Sequence, residues 1–504
     1  MALWKRHYPE AEAAYGKMLA ADPNSTEAMA GLVRATLGED KLQDALALAM
    51  KFDAAHPNTP VLLNALGEAR YRRGEVNEAA KAFDQSLTLD VCNGVTQYDL
   101  AKFLDLSGKY ASAQRRLDLA HALAPLNWQI GNRWHESHAV PLTAAERLAA
   151  LQQRLQNPAL TQDDKDAIQA AIKGIQSQED RGCEVVSPVT EAKLPILPVS
   201  YRDSISPDAV YGAGLEVLFN GKRKRLQIDT GASGLILSHS AAKSAGLIPE
   251  LEIKMGGIGD QGPAKAFSTH VDDIRIGGME IKNCMVRVLE GESHLGVDGL
   301  IGTDIFENYL VTLDFPGREL RIGQLPPGPA DEPATTASLQ TSDGEAAPMS
   351  HADRARDRYT PPAIKDWQAV YRSGHFLIFP TVIGNAPVKL FAMDTGAANG
   401  LITPAAAREV THVGGAWDGL GRVGVSGEVK KVQAADQVTI TFGGVGQVID
   451  RMDSYDSTAL TDSSGVEISG LIGFPTLREL VISIDYRDNL VHLVYDPKKG
   501  HHAH

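Results

Sequence analysis

Two stretches of this 504-residue chain follow one plan, and this internal duplication constrains the fold more than any other feature. In each stretch an apolar run enters Asp-Thr-Gly-Ala, at residues 229–232 and 394–397, and Gly-Leu-Ile follows within a few residues. Each stretch later contains Gly-Leu-Ile-Gly, which ends at Gly302 in the first and at Gly473 in the second. The aspartate and this last glycine are 73 residues apart in the first stretch and 79 in the second, so the difference lies in the loops between them. The chain therefore carries two copies of one domain.

Both copies have the local pattern of β-sheet proteins. From about residue 185 onward, short runs of β-branched and apolar residues alternate with glycine-rich turns, which predicts hairpins. We expect the first β domain over residues 185–324 and the second over 361–498, with a tail at 499–504. Residues 325–360 are rich in Pro, Ala, Ser, Thr and charge, which is typical of a flexible linker. A linker of that length spans roughly 30–35 Å, enough for the two copies to pair within one chain.

A different periodicity, of 34 residues, runs through the N-terminal region. Ala11, Ala45, Ala79 and Ala113 are in step, and apolar residues between them recur at helical spacing. Each period predicts two helices, in which the small alanine allows close approach and a proline ends the second helix.

This pattern resembles the tetratricopeptide repeat, whose Leu-x-x-Leu-Gly signature appears at Leu63, Leu66 and Gly67. The resemblance implies an all-α helical-repeat solenoid over residues 1–135 that binds a protein partner. Two further amphipathic stretches predict a helical connector over residues 136–184.

The duplicated β motif resembles the aspartic proteases, and among them the retropepsins and their bacterial relatives. The resemblance implies two all-β barrels of the retropepsin and pepsin type, which supply one catalytic aspartate each, Asp229 and Asp394. It also implies that Thr230 and Thr395 hydrogen-bond across the pair. The glycines that the family would use to support the two catalytic loops are Gly231, Gly396, Gly302 and Gly473.

The chemistry of this family depends on both aspartates. Two carboxyl groups a few Å apart cannot both ionise cheaply, so they share one proton and act as base and acid. We expect Asp229 and Asp394 to hold a water that attacks a peptide carbonyl, with no metal or cofactor. The sequence leaves open which aspartate is the acid.

A glycine-rich hairpin is expected to cover the substrate. Residues 254–267 resemble the retropepsin flap, with Gly257, Ile258 and Gly259 at its tip. Residues 413–429 occupy the corresponding stretch of the second copy.

The leading function is an aspartic endopeptidase that cleaves a peptide or protein substrate, with the solenoid recruiting a protein partner or that substrate. The alternative is a non-catalytic peptide-binding or scaffold protein with the same cleft, although the intact Asp-Thr-Gly in both copies favours an enzyme. We expect a monomeric pseudodimer. Because retropepsins usually build their site from two identical chains, pairing of each copy in trans, in a homodimer, is the other arrangement.

Net charge and apolar content limit which partners and which compartment we expect. A formal net charge of −14 argues against nucleic acid as a partner. The sequence contains no run of about 18 apolar residues, so no membrane span is predicted. As the sequence stands, the expected compartment is cytoplasmic. However, the repeat period begins before Met1, which favours an upstream segment that would allow a periplasmic or secreted protein.

Two further expectations concern side chains outside the motifs. The cysteines Cys92, Cys183 and Cys284 are odd in number and form no Cys-x-x-Cys pair, so they are expected to be buried thiols. Asp314 and Asp485 lie 12 residues after each Gly-Leu-Ile-Gly and are expected to face solvent at strand ends.

Overall fold

The computed structural model describes most of the chain, and all statements below refer to that part. The described residues are 7–138, 144–156, 183–200, 210–290, 297–329, 356–416, 422–456 and 464–495, with a few single positions between these ranges.

The N-terminal region is a row of helices in which sequence neighbours pack against each other. The helices are α1 (Tyr8–Ala21), α2 (Thr26–Gly38), α3 (Leu42–Ala55), α4 (Pro60–Arg72), α5 (Val76–Leu89), α6 (Gly94–Leu106), α7 (Tyr110–Leu123), α8 (Trp128–His138) and α9 (Ala144–Leu155). The last of these lies in the predicted connector, most of whose other residues are outside the described ones. None of the helices described is both long and apolar enough to cross a membrane.

The 34-residue period appears directly in the backbone. The turns inside successive repeats place Asp40, Gly74 and Gly108 in the left-handed region, with φ of 61°, 73° and 73°. The four in-step alanines are buried where paired helices approach each other. The prediction of a tetratricopeptide-like helical-repeat region is confirmed at the level of the fold.

The first β domain is a closed, mostly antiparallel sheet. Its strands are β1 (Glu184–Ser187), β2 (Glu191–Pro195), β3 (Leu197–Val199), β4 (Gly212–Phe219), β5 (Lys222–Asp229), β6 (Leu235–Ser238), β7 (Leu251–Met255), β8 (Ala264–Ile276), β9 (Met279–Leu289), β10 (Gly299–Gly302), β11 (Leu310–Asp314) and β12 (Glu319–Gly323), with α10 (His239–Ser244) after β6. The sheet order is β1-β9-β6-β10-β5-β4-β8-β7, with β3 on β4, and a further β8–β9 pairing closes it.

The second β domain repeats this plan. Its strands are β13 (Gln368–Ala369), β14 (Tyr371–Ser373), β15 (Phe376–Ile383), β16 (Lys389–Asp394), β17 (Leu401–Ile402), β18 (Val413–Ala416), β19 (Arg422–Gly424), β20 (Gly427–Val429), β21 (Gln433–Phe442), β22 (Val445–Ser454), β23 (Gly470–Gly473), β24 (Leu480–Asp485) and β25 (Leu490–Tyr495), with α11 (Pro404–Arg408) and α12 (Phe474–Leu477). The order β14-β15-β16-β23-β17-β22-β21-β18 closes through β15–β21. A helical-repeat region followed by two retropepsin-like barrels is thus the observed fold, as the sequence predicts.

The two β domains share a third sheet, in which β11 of the first domain pairs antiparallel with β24 of the second. This sheet corrects the expectation for Asp314 and Asp485, which are 4% and 0% exposed. Each lies at the end of a strand that the partner domain covers, and its carboxylate accepts the backbone N–H three residues on, from Gly317 and Asp488. Their burial could not be predicted from the sequence, because each strand is an edge strand within its own domain and is covered only when the two domains pair.

The cysteine expectation is also wrong. Cys183 and Cys284 form a disulfide, and Cys92 is exposed. The disulfide joins positions 101 residues apart, and antiparallel pairing of β1 with β9, which sets Glu184 opposite Lys282, brings them together.

The repeats pack on the second β domain. Tyr371 Oη donates to Asn77 Oδ1 at 2.8 Å, and a Cβ added to Gly74 would lie 2.8 Å from the Glu467 carbonyl oxygen. Apolar side chains of α5 and α6, such as Phe83, belong to the same buried cluster as residues of the second β domain. The solenoid and this domain therefore share a continuous core.

The predicted linker lies mostly outside the described residues, but both of its ends are described. At its start, Arg487 donates to the Pro326 carbonyl at 2.6 Å. At its end, Arg356 binds the buried Asp488 carboxylate through two hydrogen bonds, and Asp357 accepts from the N–H at the start of α7.

Candidate active site

Asp229 and Asp394 end matching strands, β5 and β16. The Gly-Leu-Ile-Gly strands run parallel to them, with Gly302 opposite Asp229 and Gly473 opposite Asp394. A Cβ at either glycine would overlap the backbone of the loop that follows the aspartate. These glycines therefore allow each loop to fold closely over its neighbouring strand.

Two threonines connect the loops across the domain boundary. Thr230 N–H donates to Thr395 Oγ1 at 3.0 Å, and Thr395 N–H donates to Thr230 Oγ1 at the same distance. Thr230 Oγ1 in turn donates to the Met393 carbonyl at 2.8 Å, and Thr395 Oγ1 donates to the Ile228 carbonyl at 2.9 Å. Both side chains are buried, so these hydrogen bonds fix one loop against the other in a water-poor environment.

The glycines after the threonines face the aspartate of the opposite domain. A Cβ built on Gly231 would lie 2.8 Å from Asp394 Cγ, and one built on Gly396 would overlap the Asp229 carboxyl group. Only hydrogen occupies that space, so the two carboxyl groups can approach each other.

Backbone N–H groups and burial determine the charge state of the pair. Asp229 Oδ1 accepts from Gly231 N at 2.8 Å, and Asp394 Oδ1 accepts from both Gly396 N and Ala397 N at 2.9 Å. Burial and the Asp394 carboxylate raise the pKa of Asp229 well above its usual value. Burial also raises the pKa of Asp394, against hydrogen bonds from Asp229 and the two N–H groups that favour its ionised form. Burial thus favours the protonated form of both groups, and the neighbouring charge adds to this effect at Asp229.

The two loops are supported differently. Ser233 Oγ donates to Asp304 Oδ2 at 2.6 Å, and Gly234 N donates to Asp304 Oδ1 at 2.8 Å. The second loop has Ala398 where the first has Ser233, and Pro475 where the first domain has Asp304. Asp304 is not among the residues predicted from the sequence. Its place two residues after Gly-Leu-Ile-Gly is the signal that points to the aspartate loop.

The predicted flap is the β7–β8 hairpin, and the structure places Gly257, Ile258 and Gly259 in its turn. This turn meets the β19–β20 hairpin of the second domain. The Ile258 carbonyl accepts from Ser426 N at 3.0 Å, and Gln261 N donates to the Ser426 carbonyl at 2.9 Å. The two hairpins expected as flaps therefore meet, and their tips are hydrogen-bonded to each other.

Each hairpin tip also packs on the opposite domain. Val425, between β19 and β20, contacts an apolar cluster of the first domain that includes Ala232 and Leu300. Ile258 contacts a cluster of the second domain that includes Ala397 and Leu471. An apolar surface therefore lies beside each catalytic loop.

Among the residues that the structure describes, no three His, Cys, Asp or Glu side chains are grouped to hold a metal ion.

The first β domain is similar in sequence to the aspartyl proteases. Residues 215–305 match the family model for aspartyl proteases. DNA damage-inducible protein 1 of Neurospora crassa is 33% identical over 132 residues, which cover 25% of this chain and 29% of that protein. The crystal structure of aspartic proteinase from Irpex lacteus is 12% identical and covers 62% of this chain and 100% of its own, with a TM-score of 0.38. That of MamA is 18% identical and covers 35% of this chain and 91% of its own, with a TM-score of 0.21.

The chain spans 29% and 33% of the lengths of the curated relatives it matches. The matches cover 25% and 22% of this chain, so those relatives do not describe the whole molecule. The family match falls on the first β domain, and the duplicated motifs, the parallel Gly-Leu-Ile-Gly strands and the shared sheet extend the same plan to the second. This chain thus has the fold of a retropepsin-like aspartic protease, with an aspartyl protease match in its first β domain and helical repeats at its N-terminus.

Proposed function

We propose that this protein is an aspartic endopeptidase in which Asp229 and Asp394 of one chain activate a water. The observation that carries the proposal is the reciprocal pair of hydrogen bonds between Thr230 and Thr395, which joins two aspartate loops of a single polypeptide. Buried carboxyl groups with raised pKa values in such a constellation are typical of catalytic acids and bases.

In this mechanism Asp394 is the base and Asp229 the acid. The hydrogen bond between the two carboxyl groups lowers the pKa of Asp394 and raises that of Asp229, which favours Asp229 as the carrier of the shared proton. Asp394 takes a proton from the water as the water oxygen attacks the peptide carbonyl carbon, and Asp229 donates its proton to the carbonyl oxygen. Asp394 then passes its proton to the amide nitrogen while Asp229 takes one back from a hydroxyl group of the gem-diol. The C–N bond breaks, an amine and a carboxylic acid are released, and both aspartates return to their starting states.

The preferred substrates are peptides with apolar side chains on both sides of the cleaved bond. The apolar clusters that include Ala232 and Ala397 lie next to the two aspartate loops and favour such side chains. A peptide would displace Val425 and Ile258 from these clusters when the hairpins open.

We assign the helical repeats to recruitment of a protein partner or substrate. Because the solenoid packs on the second β domain, a protein bound to it would be held near the cleft at high effective concentration. Leu126, 89% exposed in the turn after α7, is one place to test this. Leu126→Glu should raise KM for a folded protein substrate and leave short-peptide cleavage unchanged.

An oxidising compartment, periplasmic or extracellular, fits the disulfide better than the cytoplasm does, because disulfides are rare in the cytosol. Trapping free thiols with an alkylating reagent in intact cells tests this. Cys183 and Cys284 should be protected and Cys92 modified, and modification of all three would contradict the proposal.

The central test is cleavage of fluorogenic peptides from pH 3 to 8 by the wild-type chain, Asp229→Asn and Asp394→Asn, with the mass of each particle measured in the same buffers. Loss of cleavage in either variant of a monomer supports the intramolecular pair. Cleavage that survives one of the two changes would show that each copy pairs in trans with its twin in a second chain. Absence of cleavage with retained peptide binding would favour the non-catalytic scaffold.

A further inference from the structure

Two hydrogen bonds connect the catalytic loops to the opposite domain outside the threonine pair. His375, between β14 and β15, has its Nε2 3.0 Å from the Gly231 carbonyl oxygen. Gln227, on β5, donates from Nε2 to the Gly396 carbonyl at 3.1 Å. The two bonds run in opposite directions across the boundary and reach the same position of each loop, the glycine that follows Asp-Thr.

The two side chains are not copies of each other. Gln227 is fully buried, and Gly212 provides the space for it, since a Cβ there would lie 2.6 Å from its Nε2. The second copy has Ala392 at the position that matches Gln227. The duplicated domains have thus reached an equivalent contact with one non-titrating side chain and one histidine.

His375 makes its contact as an Nε2–H donor, and its buried setting favours the neutral ring. The Gly231 carbonyl only accepts, so Nε2 carries the hydrogen, and Nδ1 is buried with no hydrogen-bond partner among the described residues. The ring lies against Phe376, with centroids 4.0 Å apart.

The charged groups around the imidazole come from three elements. They are Asp304, after β10, Arg287 on β9 and Arg372 on β14. Burial and the two arginines lower the pKa of His375, against the attraction of Asp304 and the Gly231 carbonyl. A second proton, on Nδ1, would make the ring a buried cation near two arginines. Its new N–H would have no acceptor among the described residues.

These contacts connect His375 to the aspartate loop. Gly231 donates its N–H to Asp229 Oδ1 and presents its carbonyl to His375, so the same residue orients the carboxyl group and is held by the imidazole. Asp304 and Arg287 contact the Ser233 part of the same loop. A ring that leaves the Gly231 carbonyl would release one side of this loop.

We propose that His375 is a positioning residue for Asp229, and that its neutral form holds the Gly231 carbonyl in the active conformation while Gln227 does the same for Gly396 without titrating. The proposal rests on the proposed peptidase function. It adds protonation of His375 to protonation of Asp394 as a cause of the loss of activity on acidification, the acid limb of the pH profile.

The test compares His375→Gln, which keeps a side-chain N–H donor but cannot titrate, with His375→Phe, which has no donor. For peptide cleavage from pH 4 to 8, His375→Phe should lower kcat tenfold or more at every pH with a smaller change in KM. His375→Gln should retain most of kcat near neutral pH and extend activity to lower pH than wild type. Gln227→Met should lower kcat without moving the acid limb, and His239→Gln, at an exposed histidine, should change neither.

Unchanged kcat in His375→Phe, or an acid limb shared by wild type and His375→Gln, would overturn the proposal. A readout without turnover separates it from the peptidase proposal. Because His375 is neutral in the folded chain and more basic when unfolded, wild-type stability should fall between pH 7 and pH 5 by more than that of His375→Gln. Equal losses of stability in wild type and His375→Gln would count against a buried neutral imidazole. If the losses differ but none of the proteins cleaves peptides, the peptidase proposal is rejected and the placement of His375 is kept.

Discussion

Thr230 and Thr395 each accept the backbone N–H of the other at 3.0 Å, so the two β domains hold each other through a reciprocal contact between two residues of one chain. Each hydroxyl also donates to a carbonyl of the opposite strand. Four buried hydrogen bonds therefore join the domains at the point where the aspartates meet. In a homodimer the same contacts would depend on protein concentration, whereas here the covalent chain holds both halves together.

Thr395→Val should destabilise the protein by about 2–6 kcal/mol. The substitution keeps the shape of the side chain but leaves the Thr230 N–H and the Ile228 carbonyl buried without a partner, at about 1–3 kcal/mol each. Denaturant unfolding followed by tryptophan fluorescence measures the change. Thr395→Ser, which keeps the hydroxyl, is the matched control, and equal stability of the two variants would argue against this account.

Gly396→Ala should reduce kcat by about a hundredfold or more, because misplacing a reacting group by about 1 Å can cost that much. An added Cβ at this position would overlap the Asp229 carboxyl group and push it away from Asp394. Gly323→Ala, where a Cβ would meet no atom within 4 Å, is the control and should leave kcat unchanged. A fully active Gly396→Ala protein would show that the carboxyl groups do not need this close approach.

Asp229→Asn should stabilise the folded chain more at pH 7 than at pH 4. The pKa of Asp229 is raised on folding, so its contribution to stability is greatest below its unfolded pKa and is lost as pH rises through the folded value. An amide at this position remains neutral and donates to Asp394 at every pH. Thermal unfolding at the two pH values checks the prediction, which fails when the gain is the same at both.

Replacing Cys183 and Cys284 together by serine should lower the free energy of unfolding by about 2–5 kcal/mol, the usual effect of removing a native disulfide. Wild-type protein under reducing conditions should behave like the double variant. Cys92→Ser removes only an exposed thiol and should leave the unfolding midpoint unchanged. Insensitivity of the wild-type midpoint to reductant would mean that the disulfide does not contribute to stability.

The sequence was sufficient where the information is local or repeated. Two Asp-Thr-Gly loops in the same frame predicted the positions of Asp229 and Asp394, and the resemblance supplied the pairing of Thr230 with Thr395. Those features follow from strand-loop-strand units that the chain contains twice. The helical repeats were predicted for the same reason, because a period of 34 residues is visible without any tertiary information.

The sequence was insufficient where a contact depends on how distant elements align. Cys183 meets Cys284 only through the β1–β9 register, and the burial of Asp485 requires the shared sheet. His375 and Gln227 carry no motif, since each acts on a carbonyl of the other domain. A single histidine after a glycine gives no indication of a partner 144 residues away.

The described ends of the linker are held at one turn of the second β domain, where Arg487 binds Pro326 and Asp488 binds Arg356. A segment with neighbouring ends closes a loop instead of bridging a gap, so its length affects stability only weakly. Scission within it would produce two polypeptides that remain one particle through the shared sheet and the solenoid contacts. The cleaved protein would then migrate as two bands under denaturing conditions while it sediments as a single species.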